Sequence, residues 1–194
     1  MIKKVILISG KAEAGKTSCA NIIKARVEKN GGRAVILSYG AYVKHTAQLI
    51  FGWDGNKDEA GRRLLQSWGT DYVREQQPSF WVQTVNQLVN LIDPIVDVVI
   101  IDDCRFFNEL DFWIIKNRNR CYDVMTIRVE RPDHENSLTE AQRNHISETE
   151  LDSYDNFHVT LKASNMVELE DEVDSKIIPK LPVIYANALF SICG

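Results

Sequence analysis

No excess of basic charge runs through this sequence of 194 residues: 23 Lys and Arg stand against 27 Asp and Glu, a formal net charge of −4 at pH 7. That balance argues against a general nucleic-acid binder, which needs a basic face to neutralise phosphates. It leaves open an enzyme that gathers its cations in one cleft. Metal-like cysteine spacing is missing as well. The four cysteines, Cys19, Cys104, Cys121 and Cys193, are scattered, and the segments around Cys19 and Cys104 read as buried, where cysteine usually acts as a small hydrophobe. No apolar run is long enough to span a bilayer, because LVNLIDPIVDVVII is interrupted by Asp93, Pro94 and Asp97. A signal-peptide pattern is lacking, since the apolar run after Lys3 and Lys4 ends at Gly10. Repeats, low-complexity tracts and evident linkers are absent. The expectation is one cytoplasmic, reduced domain over residues 1–194, with neither membrane nor nucleic acid as partner.

What is present begins at position 10 with GKAEAGKT, directly after the apolar run KVILIS. Two glycines five positions apart, followed by Lys16 and Thr17, fit G-x-x-x-x-G-K-[ST]. In that pattern successive backbone N–H groups curl around a polyphosphate, and neither glycine puts a side chain in the way. Gly10, Lys11, Ala12, Glu13, Ala14, Gly15, Lys16, Thr17 and Ser18 are therefore the candidate ATP-binding residues. Lys16 is expected on the β and γ phosphates and Thr17 on Mg²⁺, with the following helix turning its positive end to the anion. Glu13, an acid inside such a loop, must point outward or weaken binding.

Apolar runs alternate with helical patterns along the chain. Strands are expected at 3–9, 33–38, 97–102, 122–129 and 157–162, and helices at 16–29, 41–51, 57–75, 79–92, 108–118 and 166–178. DVVIID and RAVILS are near-continuous apolar runs, as in parallel strands covered on both faces. The fold expected is thus α/β, a doubly wound parallel sheet of about five strands with helices on both faces. The polar stretch 132–150 joins strand to strand and reads as a mobile lid. The tail LPVIYANALFSICG is apolar enough to pack on the body or on a second subunit, which makes a homodimer one expectation.

A phosphate-binding loop needs an acid at the end of a neighbouring strand to share its magnesium, and Asp102 and Asp103 stand in that place. The GTPase N-K-x-D sequence is not matched: NKDE at 56–59 has its acid one place early. A small kinase with a second anion site remains, and Lys44, Arg62, Arg63, Arg74 and Arg105 are its candidate cations. Arg62, Gln66 and Arg74 share one face if a helix continues through Gly69. Trp81 or Phe80 could stack on a base, against the default reading of core packing. In the lid region Arg131, Arg143, His145 and Glu148 are available to close over the transferring phosphate.

The stretches ISGKAEAGKTSCA, GRRLLQSWGTDYVRE followed by FWV, IDDCRFFNE and HISETELD resemble bacteriophage-type deoxynucleoside monophosphate kinases of the P-loop nucleoside monophosphate kinase group. The resemblance covers residues 3 to about 175 and implies transfer of the γ-phosphoryl group of ATP, with Mg²⁺, to a deoxynucleoside 5′-monophosphate. It implies a helical acceptor-binding insertion at about 41–92 and an acceptor side lined by Lys44, Arg62, Gln66, Gly69, Arg74, Trp81 and Arg105. Lys16, Asp103, Arg105 and Arg131 would be catalytic, Thr17 with Asp102 or Asp103 would hold the metal, and Arg143, His145 and Glu148 would belong to the lid. The chain departs from the family in carrying Thr17 where Asp often follows the loop lysine. It also keeps only Lys44 of an ADPLK-like stretch. Two other readings stay open: a kinase of another small phosphorylated acceptor, such as dephospho-coenzyme A, and a non-catalytic ATP-binding regulatory protein.

Overall fold

The computed structural model describes residues 4–116, 122–132 and 134–181. Cys121, Cys193, the end of the helix expected at 108–118 and nearly all of the apolar tail lie outside the described residues. Five strands form one sheet in the order β2-β3-β1-β4-β5, with every neighbouring pair parallel. They are β1 (Lys4–Ser9), β2 (Ala34–Leu37), β3 (Val98–Ile101), β4 (Asp123–Glu130) and β5 (Val159–Lys162). Around them lie α1 (Lys16–Lys29), α2 (Tyr39–Phe51), α3 (Glu59–Gln66), α4 (Val73–Gln76), α5 (Phe80–Ile92), α6 (Phe107–Asp111), α7 (Glu140–Arg143), α8 (Ile146–Thr149) and α9 (Met166–Lys176). The doubly wound α/β fold expected from the apolar alternation is the one observed.

Both faces of the sheet are covered, so the central strands carry almost no polar residues. Ile6, Ile8, Ile100 and Ile127 meet Cys19, Ile23 and Val27 of α1 and Leu169 and Val173 of α9. From the other face Val5, Leu7, Val99 and Ile101 meet Trp81, Val85 and Val89 of α5 together with Trp113. Each such aliphatic side chain withdrawn from water contributes about 1.5–3 kcal/mol, which fixes the register of a strand that would otherwise be free to slip. Leaving β1, the chain moves to β2 on one side, returns to β3 between them, and then crosses to β4 on the far side of β1. The loops after β1 and β3 therefore open into one crevice at the carboxyl ends of the strands.

The helix expected at 57–75 is continuous from Glu59 to Gln76, but its middle, Ser67–Tyr72, is a π-helical turn. Gly69 lies within that turn against α2. A Cβ there would come within 2.8 Å of Val43 Cγ1, so glycine is what lets the two segments approach. The stretch 132–150 holds the short helices α7 and α8. Thr139 and Gln142 cap α7 reciprocally: the Thr139 hydroxyl accepts from Gln142 N at 3.3 Å and Gln142 Oε1 accepts from Thr139 N at 3.1 Å. The strand expected at 157–162 begins only at Val159, where pairing with β4 starts at Ile127.

Candidate functional site

The loop after β1 is shaped by its glycines. A Cβ on Gly10 would lie 2.4 Å from the carbonyl oxygen of Val129, so no larger residue passes there. Gly15 adopts φ +96°, and it precedes α1 without supplying any side-chain cap. The first N–H groups of α1 are left to an outside acceptor, and the first turn holds no acid to compete for them. Glu13 takes φ 63°, unusual for a side chain of its size. Its carboxylate turns out of the loop, as expected, accepting from Ser137 N at 3.2 Å and from the Ser137 hydroxyl, with His134 Nε2 at 3.2 Å.

Lys16 is buried and folded back on the loop, its ammonium donating to Gly10 O at 2.7 Å and Lys11 O at 2.6 Å. Burial, with the nearby Arg105 guanidinium, pushes its pKa down to about 7. Thr17 Oγ1 donates to Asp102 Oδ2 at 2.9 Å, and Ser38 donates its hydroxyl to the other oxygen of Asp102. Two hydroxyls and one carboxylate make a hard-oxygen donor set, which suits Mg²⁺ held partly by substrate phosphates and water. Among the described residues no cluster of three or more His, Cys, Asp or Glu could enclose a metal by itself. Asp103 faces elsewhere. Its carboxylate accepts from Tyr39 N at 2.9 Å and Gly40 N at 2.7 Å, at the start of α2, and burial raises its pKa.

Two cavities meet at Lys16 and Thr17. The first, about 380 Å³, lies beyond the start of α1 and is bounded by Ser18, Arg131, Ala163, Asn165 and Leu169. The second, about 410 Å³, opens toward α2 and the 59–76 segment. It gathers Lys44, Arg62, Gln66, Gly69, Arg74 and Arg105, all six chosen from sequence, with Asp102, Asp103 and Glu148. The helix that continues through Gly69 is what brings Arg62, Gln66 and Arg74 to this wall.

Two expected residues, Trp81 and Arg143, line neither of these two cavities. Trp81 does not line the second cavity: it is 1% exposed and its indole N–H donates to Gly69 O at 2.9 Å, so it supports the π-helical turn. Arg131 lines the first cavity and not the second, because β4 lies between β1 and β5 and delivers its end to that side. Arg143 is exposed on α7 and lines neither cavity. His145 caps α8, accepting from Ser147 N at 3.2 Å, and its Nε2 lies 3.3 Å from Asp71 Oδ1 in the 59–76 segment.

The segment that carries α8 lies on the loop after β1. Glu148 Oε2 accepts from Ala12 N at 3.0 Å while Oε1 takes the Arg105 guanidinium. Lys11 donates to Glu148 O at 2.7 Å and pairs with Asp152, and Arg105 Nη1 donates to Ser147 O at 2.8 Å. Three further residues escaped the sequence reading. Lys57 lines the second cavity, its pKa lowered first by Lys44 and then by burial and Arg62. Arg128 donates to Ser9 Oγ at 3.2 Å and pairs with Asp152; the one signal for it was a cation inside the apolar run VMTIRV. Glu109, fully buried, holds Arg74; it closes the stretch IDDCRFFNE that carries the family resemblance, but the sequence assigned it no role.

No protein-family model and no curated protein matches the sequence. Solved structures do match in shape. The Mycobacterium tuberculosis APS kinase CysC, in complex with AMPPNP and APS, superposes with a TM-score of 0.56 at 12% identity, covering 90% of this chain and 96% of that one. TT1252 from Thermus thermophilus gives a TM-score of 0.56 at 14% identity, with 94% and 100% covered. The parallel sheet, its flanking helices and the glycine-lysine loop after β1 together give this chain the P-loop kinase fold.

Proposed function

We propose that this protein transfers the γ-phosphoryl group of ATP to a (deoxy)nucleoside 5′-monophosphate, giving ADP and the diphosphate. The observation that carries the reading is the pair of cavities sharing Lys16 and Thr17, one beside a free helix start and the other walled by Lys44, Lys57, Arg62, Arg74 and Arg105. Phosphoryl transfer needs a donor and an acceptor anion in line, with charge neutralised between them, and this arrangement supplies both sides. The match to an APS kinase solved with an ATP analogue supports nucleotide binding in this fold.

In this mechanism the amides of residues 10–18 receive the donor phosphates, and Lys16 turns from the Gly10 and Lys11 carbonyls to the transferring group. Thr17 and Asp102 would hold Mg²⁺, which neutralises phosphate charge when bound. The five cations of the second cavity orient the acceptor phosphate, which is already anionic, so no general base and no covalent intermediate are required. Arg131, on the wall of the first cavity, serves the donor nucleotide.

The reading is tested by ADP release from Mg-ATP against a panel of ribo- and deoxyribonucleoside monophosphates, with dephospho-coenzyme A included. Acceptor-dependent release with one or more nucleotides supports the kinase and exposes its base preference. Release with dephospho-coenzyme A alone moves the acceptor class, and ATP binding with no release across the panel replaces the enzyme by a nucleotide sensor.

A further inference from the structure

We infer that Glu109 is a positioning residue for the acceptor cavity, its two carboxylate oxygens fixing the Arg74 guanidinium and the main chain of Arg105 at once. It rests on the acceptor-site reading above and adds a residue that touches no substrate itself. Glu109 is 0% exposed on α6. Its Oε1 accepts from Arg74 Nη2, and its Oε2 accepts from Arg105 N at 2.6 Å and Phe106 N at 3.1 Å. The Arg74 guanidinium also lies over the Phe106 ring, 3.9 Å from its centroid. One planar group is thus held on its face by an aromatic ring and on one edge by a carboxylate.

A buried Arg–Glu pair alone says little, since such pairs are often matched in stability by apolar residues. Two details argue for more. Arg74 Nη1 is buried and has no hydrogen-bond partner, although Arg74 lines the cavity. A buried guanidinium N–H left without an acceptor carries its full desolvation cost, and an anionic oxygen entering the cavity would remove it. The second detail is where the carboxylate reaches. Arg74 belongs to the helical segment after β2, whereas Arg105 follows β3. Glu109 ties the two together, so the spacing between two acceptor-facing arginines from different elements is set by one side chain.

Glu109→Gln replaces one accepting oxygen by an amide nitrogen with little change of shape, and Glu109→Asp keeps the carboxyl group but draws it back by one methylene. Both are expected to raise the acceptor KM about tenfold or more while leaving the ATP KM within about twofold, because only one of the two anion sites loses its geometry. Equal changes in both KM values, or none in either, overturn the positioning role. A second readout is independent of turnover: the ¹⁵N–¹H resonance of the Arg74 Nε–H in nucleotide-free protein. It is expected dispersed and protected in the wild type, shifted by added inorganic phosphate, and averaged toward an exposed arginine in Glu109→Gln, with Arg26 on α1 as control. A wild-type Arg74 resonance already averaged like that of an exposed arginine overturns the inference even if no variant folds. If the wild type turns over no monophosphate yet Arg74 is ordered by Glu109 and responds to phosphate, the positioning stands and the nucleotide assignment fails.

Discussion

Glu148 of the lid accepts a hydrogen bond from the backbone N–H of Ala12, 3.0 Å away in the phosphate loop. A carboxylate therefore occupies an amide of the kind that receives a phosphate oxygen, and its other oxygen is taken by Arg105. The loop thus carries an internal anion, and under the proposed function an incoming nucleotide would compete with it. Glu148→Gln is expected to tighten ADP and ATP binding about three- to tenfold in calorimetric titration. Weaker binding in that variant would mean that the carboxylate helps hold the nucleotide-bound lid instead.

Lys16 donates only to main-chain carbonyls of its own loop, so its removal leaves no buried carboxylate without a partner. Lys16→Ala is expected to lower kcat by about 10²–10⁴ while the thermal melt stays near that of the wild type. Near-normal turnover would remove the loop from the active site.

The two adjacent acids separate cleanly. Asp102 faces Thr17 and Ser38, whereas both oxygens of Asp103 serve the first amides of α2. Asp102→Asn is expected to raise the Mg²⁺ concentration needed for half-maximal activity about tenfold or more, with little change in stability. Asp103→Asn is expected to cost about 0.5–2 kcal/mol in urea unfolding, through the weakened cap, without moving the Mg²⁺ requirement. The reverse pattern would exchange their roles.

Burial pushes the Glu109 pKa up to about 7 despite the Arg74 guanidinium. Its folded pKa is above its unfolded value, so between the unfolded value and about pH 7 the folded state keeps a proton that the unfolded chain releases. The stability it contributes is full at the acid end of that window and is lost as pH rises through about 7. Wild-type unfolding free energy is expected to fall by on the order of 2–3 kcal/mol more than that of Glu109→Gln between pH 4.5 and pH 8. Parallel pH profiles of the two proteins would exclude a titrating Glu109.

Much of the site was legible because it depends on local pattern. A strand, two glycines five apart and a lysine-threonine pair can hardly be read except as a phosphate loop, since backbone geometry there is fixed within ten residues. Apolar alternation gave the five parallel strands for the same reason: burial on both faces writes itself into every position. Cations after β2 and β3 were found because loops at the carboxyl ends of such strands share a crevice whatever their sequence.

Other features depend on groups distant in the chain. Trp81 could be a stacking platform or a core residue until the carbonyl of Gly69 was placed beside its indole N–H. Arg131 could reach either side of the phosphate-loop motif, and the position of β4 between β1 and β5 put it on the wall of the first cavity. Lys57 sits in a polar stretch with no periodicity, and only the packing of α3 beside α2 carries it to the second cavity. Sequence alone determined the parallel α/β core and the glycine-lysine loop after β1, because those signals are local or repeat along each strand. Only the tertiary structure decided which acid faces Thr17, which arginine Glu109 holds and what the segment around α8 touches, because these rest on groups up to 141 positions apart coming together.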